Sequence, residues 1–253
     1  MRYFLSFILF VCCNSSFSQA KDSIHEYRSQ MQSFLQQNEN LKAPDAVKRQ
    51  NLYRELRSFM LKHPKNEFNF LLLLEGVNLT YQQVDTLLRL IDTSIYSSPQ
   101  KAYADVILKR LSVAETGRPF PPLTLTDTSG NELSISGLKG KIVFIDVWSS
   151  WCGPCREEIP NLKKIYKKYN SRGLEVIGVS MDDNKESWLK AIEKDKQPWK
   201  AYCEFRNWRY NKFAMRFSIF AIPANFLIDQ NGILVGQNLS PVALRTWLEK
   251  NPL

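Results

Sequence analysis

The feature that most constrains the fold is a change of pattern near residue 117. The segment ETGRPFPPLTL is rich in proline and glycine and marks a boundary. After it, short apolar runs with β-branched residues recur at LTLTD, KIVFIDVW, LEVIGVS, PANFLID and ILVGQNL. Helical patterns lie between them at 153–171, 184–195, 207–216 and 241–250. Strands alternating with helices predict an α/β fold, a central mixed sheet flanked by helices, over residues 117–253. The turn DQNG between the last two runs adds an antiparallel edge.

Residues 21–116 read differently. AVKRQNLYRELRSFMLK carries apolar or aromatic residues at Val47, Leu52, Leu56, Phe59 and Met60, and similar segments recur between the breakers Pro44, Pro64 and Pro99. An all-α N-terminal domain of four or five helices is expected, with FNFLLLLEGV the most buried. His25 and His63 are far apart, and His63 precedes Pro64 at a helix end, where capping accounts for it better than metal ligation. The first twenty residues place Arg2 ahead of an apolar run too short to span a bilayer, with Ser18 and Ala20 at small-residue cleavage positions. This reads as a signal peptide, residues 1–20, and implies export to the periplasm or cell envelope. Val11 and Cys12 are not the small residue that precedes a lipidated cysteine, so lipoprotein anchoring is the weaker reading.

The net charge of +9 is concentrated in the second half, where a nucleic-acid site would need basic residues interleaved with aromatics. KKIYKKY at 163–169 comes nearest. At helical spacing, however, Lys163, Lys164, Lys167 and Lys168 form a wet side and Leu162, Ile165, Tyr166 and Tyr169 a buried one. A solvated helix face is expected, and no nucleic-acid partner.

Removal of the signal would leave Cys152, Cys155 and Cys203. A structural zinc site wants four ligands, which this set cannot supply, so no metal is expected. A Cys152–Cys155 bridge closes too short a loop to staple a fold. Redox chemistry remains. KIVFIDVW ends a strand and CGPCREEIPNLKKIYKKY begins a helix, so Cys152 is expected at the helix N-terminus, where unpaired amides and the macrodipole favour a thiolate. Cys155, one turn inside, should be more buried and closer to its normal protonation. Pro154 suits the first turn, where its missing N–H costs nothing. Cys203, in KAYC, lies in a short strand with no cysteine near it in sequence and is expected to be dispensable.

WCGPC after a strand, with Asp146 six residues before Cys152, resembles thioredoxin. Glu158, Pro160 and the later AIPANFLIDQNG resemble the TlpA/ResA-like thiol-disulfide reductases of the bacterial envelope, over about residues 117–250. The resemblance implies a thioredoxin-like fold with no cofactor beyond a redox-active Cys152–Cys155 disulfide. Cys152 would be the nucleophile and Cys155 the resolving thiol. Pro223 would be the cis-proline facing the disulfide, leaving the backbone of Ile222 to pair with a substrate segment. Trp151, Gly153 and Pro154 would complete the docking surface, with Trp151 exposed and Trp148 in the core.

Asp146 would be the acid beneath the cysteines. An acid in an apolar strand is costly without a partner or a task; burial should raise its pKa and let it take the proton of Cys155. Glu158 matches an acid near the pair, although a carboxylate early in a helix is favoured by the dipole in any case. The strand LEVIGVS has no lysine to pair with Asp146, and Ala221 and Ala224 stand where glycine and threonine are frequent. The implied partners are client proteins with disulfides and a membrane electron donor. Gly153-Pro154 is the thioredoxin dipeptide, and thioredoxin sits at about −270 mV against about −120 mV for the oxidant DsbA, which implies a reductase.

Two other functions compete. A peroxidase of the peroxiredoxin class follows P-x-x-x-[TS]-x-x-C; Ser149 supplies the hydroxyl, but Ile145 stands where proline belongs. A non-enzymatic binding protein would use the helical half for recognition.

Overall fold

The computed structural model describes residues 45–65, 69, 79–127, 131–219 and 221–251. The expected signal peptide, the helical reading of 21–44, and FNFLLLLEGV apart from Asn69 lie outside the described residues. Among the described residues, three α-helices precede the boundary: α1 (Asp45–Lys62), α2 (Tyr81–Leu88) and α3 (Ser98–Leu111). Helix α2 starts where it does because Thr80 and Gln83 form a capping box, each side chain bonding the other's backbone N–H. Leu56 and Met60 of α1 pack with Val84 and Leu87 of α2 and with Ile91 and Tyr96. His63 follows α1, sets its ring against that of Phe59 at a tilt of 41° with centroids 4.8 Å apart, and donates its backbone N–H to the Phe59 carbonyl.

The second half forms β1 (Thr124–Thr126), β2 (Glu132–Ser134), β3 (Ile142–Trp148), α4 (Gly153–Tyr169), β4 (Leu174–Ser180), α5 (Lys185–Asp195), β5 (Lys200–Cys203), α6 (Lys212–Arg216), β6 (Ala224–Ile228), β7 (Leu234–Gln237) and α7 (Pro241–Lys250). The main sheet has the order β5-β4-β3-β6-β7. Strand β3 is parallel to β4 and antiparallel to β6, β4 is parallel to β5, and β6 is antiparallel to β7, so the sheet is mixed. The separate β1–β2 hairpin pairs Thr124 with Ser134.

Every residue of β3 is buried, because both faces of the sheet are covered. Val143, Ile145 and Val147 face a core completed by Phe213, Phe217, Phe226 and the hairpin residues Leu123, Leu125 and Ile135. Ile142 and Phe144 face the other way, onto Ile159, Leu162 and Ile165 of α4 and Leu244 and Leu248 of α7. Along α4, Leu162, Ile165 and Tyr169 are buried while Lys164, Lys167 and Lys168 are exposed. Lys163 departs from the wet side: it is half-buried and its Nζ donates to the Asp195 carbonyl at 3.0 Å.

The free side of β7 is covered by the boundary segment. Gly117 donates to the Leu234 carbonyl, Leu234 to the Arg118 carbonyl, and Phe120 to the Gly232 carbonyl, at 2.8, 2.9 and 2.8 Å. Gln237 reaches further back, its Nε2 donating to the Ala114 carbonyl at 2.7 Å.

Three local features differ from the sequence reading. The strand β2 was not foreseen, since Glu132-Leu133-Ser134 offers one apolar residue. The helix expected at 153–171 ends at Tyr169 and passes into a 3₁₀ turn, Asn170–Arg172, closed by Gly173 in the left-handed region. The helix expected at 207–216 is a 3₁₀ turn at Trp208–Tyr210 and then α6. Asn211 separates them because its Oδ1 accepts from the Ala214 N–H, while the Glu204 carboxylate accepts from Lys212 and Phe213, so the helix starts afresh there.

Candidate active site

Strand β3 leads into Ser149–Trp151 and then into α4, which places Cys152 at the N-cap and Cys155 in the first turn. The two form a disulfide. The Cys155 N–H points at Cys152 Sγ, 3.2 Å away, so one free amide of the helix start is aimed at this sulfur. Pro154 lies in the first turn as expected, and Gly153 and Pro154 are exposed. The expected contrast in burial between the cysteines is small: Cys152 is 5% exposed and Cys155 3%. Cys152 is covered because Trp148, Trp188 and Ile222 pack around the pair.

Trp148 is fully buried and Trp151 is 60% exposed, as expected. The ring of Trp151 lies 5.9 Å from that of Trp208, whose Nε1 donates to the Ile219 carbonyl. Sequence reading missed Trp208, which sits in the 3₁₀ turn ahead of α6, upstream of the Ile222 loop. The Ile222–Pro223 bond is cis. Pro223 is buried and Ile222 half-buried against the cysteine cluster, so this loop faces the disulfide.

Asp146 alternates with Phe144 and Trp148 on the face of β3 that α4 covers, and is 9% exposed. Its carboxyl is pushed up to about 7, first by burial and second by the nearby charge of Glu158. Glu158 is half-buried and therefore belongs to the same site, while Glu157 is exposed. The register explains the missing lysine. Gly178 stands beside Asp146 across the β3–β4 ladder, and a Cβ there would lie 3.2 Å from Trp148 Nε1 and 3.5 Å from Trp199 Nε1. The two indoles occupy the space that a lysine side chain would need.

Cys203, at the end of β5, packs against the cluster that holds the disulfide. Its Sγ donates to the Asp182 carbonyl at 3.1 Å, and burial pushes its thiol pKa up. Such a thiol is a poor nucleophile near neutral pH. Among the described residues, no group of three or more His, Cys, Asp or Glu side chains could hold a metal ion. The arrangement can pass two electrons between the Cys152–Cys155 disulfide and an external dithiol, with a carboxyl of near-neutral pKa below it to exchange a proton.

Comparisons with known proteins agree with this chemistry. Residues 116–237 match the AhpC/TSA family model. The thiol-disulfide oxidoreductase ResA of Geobacillus kaustophilus is 30% identical over 130 residues, covering 51% of this chain and 72% of that protein. ResA of Bacillus cereus is 28% identical over 121 residues, covering 48% and 68%. The thioredoxin domain of a thiol-disulfide oxidoreductase from Bacteroides vulgatus is 33% identical with a TM-score of 0.50, covering 55% of this chain and 98% of that structure. The C-terminal domain of a putative thiol-disulfide oxidoreductase from Bacteroides thetaiotaomicron is 30% identical, also with a TM-score of 0.50, covering 54% and 95%. With a thioredoxin-like sheet, a cysteine pair at the start of α4 and these relatives, the chain belongs to the ResA-like thiol-disulfide oxidoreductases.

Proposed function

We propose that the protein is a protein-disulfide reductase of the cell envelope. The observation that carries this reading is the disulfide at the start of α4, set above a buried carboxyl pushed up to about 7. In the reduced state the Cys152 thiolate attacks a client disulfide, forming a mixed disulfide and releasing one client thiolate. Cys155 then attacks Cys152 Sγ, releasing the second client thiolate and restoring the Cys152–Cys155 bond. Asp146 accepts the Cys155 proton in that second step, and Glu158 helps hold its pKa near neutrality. The client chain lies over Trp151, Gly153 and Pro154 and pairs with the backbone of Ile222 beside Pro223. A membrane electron carrier returns two electrons per cycle.

Export rests on the signal-like residues 1–20, and among the described residues no helix is long and apolar enough to cross a membrane. The domain division at 116/117 is supported by the separate core of α1–α3.

The test is capture. Cys155→Ser should accumulate mixed disulfides with client proteins, separable under non-reducing conditions, and Cys152→Ser/Cys155→Ser should not. If the single variant captures nothing beyond the double variant, the nucleophile is misassigned. Peroxidase activity is the second reading, favoured by the AhpC/TSA match. Against it, Ile145 replaces the motif proline and the Ser149 hydroxyl is directed to Asp182 rather than to a peroxide site. Peroxide consumption dependent on Cys152 would favour it.

A further inference from the structure

Just past β4, Asp182 is 1% exposed and lies at the same end of the sheet as the cysteines. Its two carboxylate oxygens accept four hydrogen bonds: from Ser149 Oγ at 3.0 Å, the Ser150 N–H at 2.9 Å, Ser150 Oγ at 2.6 Å and Ser180 Oγ at 2.6 Å. Three of the four come from the two residues that begin the loop to Cys152. A buried charge is costly unless it is hydrogen-bonded or paired, and these bonds are charge-assisted and strong. The opposite side of the same loop is also held. Arg156 Nη1 donates to the Ser150 carbonyl at 3.2 Å, while the guanidinium makes a two-pronged ion pair with Asp195 at 2.8 Å. The Cys152 N–H in turn donates to the Ser149 carbonyl at 3.1 Å. Asp182 thus grips Ser149 and Ser150, and Ser149 holds the backbone of Cys152.

We infer that Asp182 is a positioning residue for the redox reaction: its carboxylate clamps Ser149-Ser150 so that Cys152 Sγ stays on the start of α4. This rests on Cys152 being the nucleophile. The benefit is geometric. The helix-start amides stabilise the thiolate only at the first turn, so a loop free to swing would take the sulfur out of their reach and out of line for attack. A negative charge acting merely through space would have the opposite effect on the thiolate, which separates the two explanations.

The experiment follows alkylation of Cys152 and Cys155 in the reduced protein by iodoacetamide against pH, with peptide mass spectrometry assigning the site, beside reduction of a disulfide-bonded protein substrate. Asp182→Ala should shift the Cys152 alkylation midpoint upward and lower kcat/KM by about tenfold to a hundredfold. Asp182→Asn should stay near wild type, since its amide oxygen can take the Ser150 N–H and the serine hydroxyls can turn to accept from its NH₂. Ser150→Ala should give a smaller upward shift and serves as the deciding variant if Asp182→Ala does not fold. Asp146 and Glu158 are unchanged throughout, so differences between variants come from the loop. An unchanged midpoint in the folded variants, or a downward shift shared by the Ala and Asn variants, overturns the clamp. Faster alkylation of Cys155 than of Cys152 in the wild type would instead overturn the nucleophile assignment, and with it the function proposed above.

Discussion

Asp146 allows a prediction whose size can be worked from the structure. An aspartate in an unfolded chain titrates near 3.8, and in the folded, disulfide-bonded protein this one is pushed up to about 7 by burial and then by Glu158. Each unit is about 1.4 kcal/mol, so the folded state is penalised by about 4 kcal/mol once the group is ionised. Below pH 3.8 the carboxyl is protonated in both states and the penalty is absent. It grows as pH rises through the interval and is complete above about 7, where both states are ionised. Asp146→Asn removes the charge at nearly constant shape. It should therefore match wild type near pH 4 and exceed it in stability by up to about 4 kcal/mol near pH 8. All six tryptophans lie beyond residue 147, so urea unfolding followed by tryptophan fluorescence reports on the half that contains the site. Glu158→Gln should make the rise smaller and complete it at a lower pH, because it removes the second cause. A stability difference that does not change with pH, or a variant weaker than wild type at pH 8, would refute the assignment of a costly buried charge. The gain should come at the expense of turnover, with mixed disulfides persisting because Cys155 has lost its proton acceptor.

Two further outcomes follow from neighbouring residues. Cys203→Ala should retain most disulfide-reductase activity, because its thiol is held protonated by burial; a loss as large as that of Cys152→Ala in an insulin-reduction assay would make it a third redox centre. Gly178→Ala should lower stability by about 1 kcal/mol or more in urea unfolding, since its Cβ would press on Trp148, which is fully buried and cannot retreat. A stabilised variant would show that the two indoles are not tightly packed there.

Much of the site was legible because its residues announce themselves locally. Burial on both faces makes β3 and β4 read as short, largely apolar runs, and in β3 Asp146 stands out as an anomaly. The cysteines fall where strand pattern meets helix pattern, so their place at a helix start needs only the order of the elements. Asp182 was not legible, although Met181-Asp182-Asp183 directly follows a strand. Its meaning depends on Ser149 and Ser150, more than thirty residues away in sequence, and only the pairing of β3 with β4 brings them together. The start of α6 was hidden for the same reason, since Glu204 caps it from outside the helical pattern. The contact of Trp208 with Trp151 likewise joins a 3₁₀ turn and the loop before α4, which lie more than fifty residues apart in sequence.

The backbone pairing of residues 117–120 with β7 has a consequence for how copies of this protein meet. A mixed sheet of five strands has two open rims, and each is a template for pairing with another chain. Here the rim at β7 is already taken by the segment that begins the α/β half, through its bonds to Gly232 and Leu234. The other rim, β5, is four residues long and opens with the exposed Lys200, two features that discourage pairing between copies. A fragment beginning at residue 121 would keep the cysteines and the whole main sheet, yet expose the β7 rim. It should self-associate where a fragment beginning at residue 114 stays dispersed.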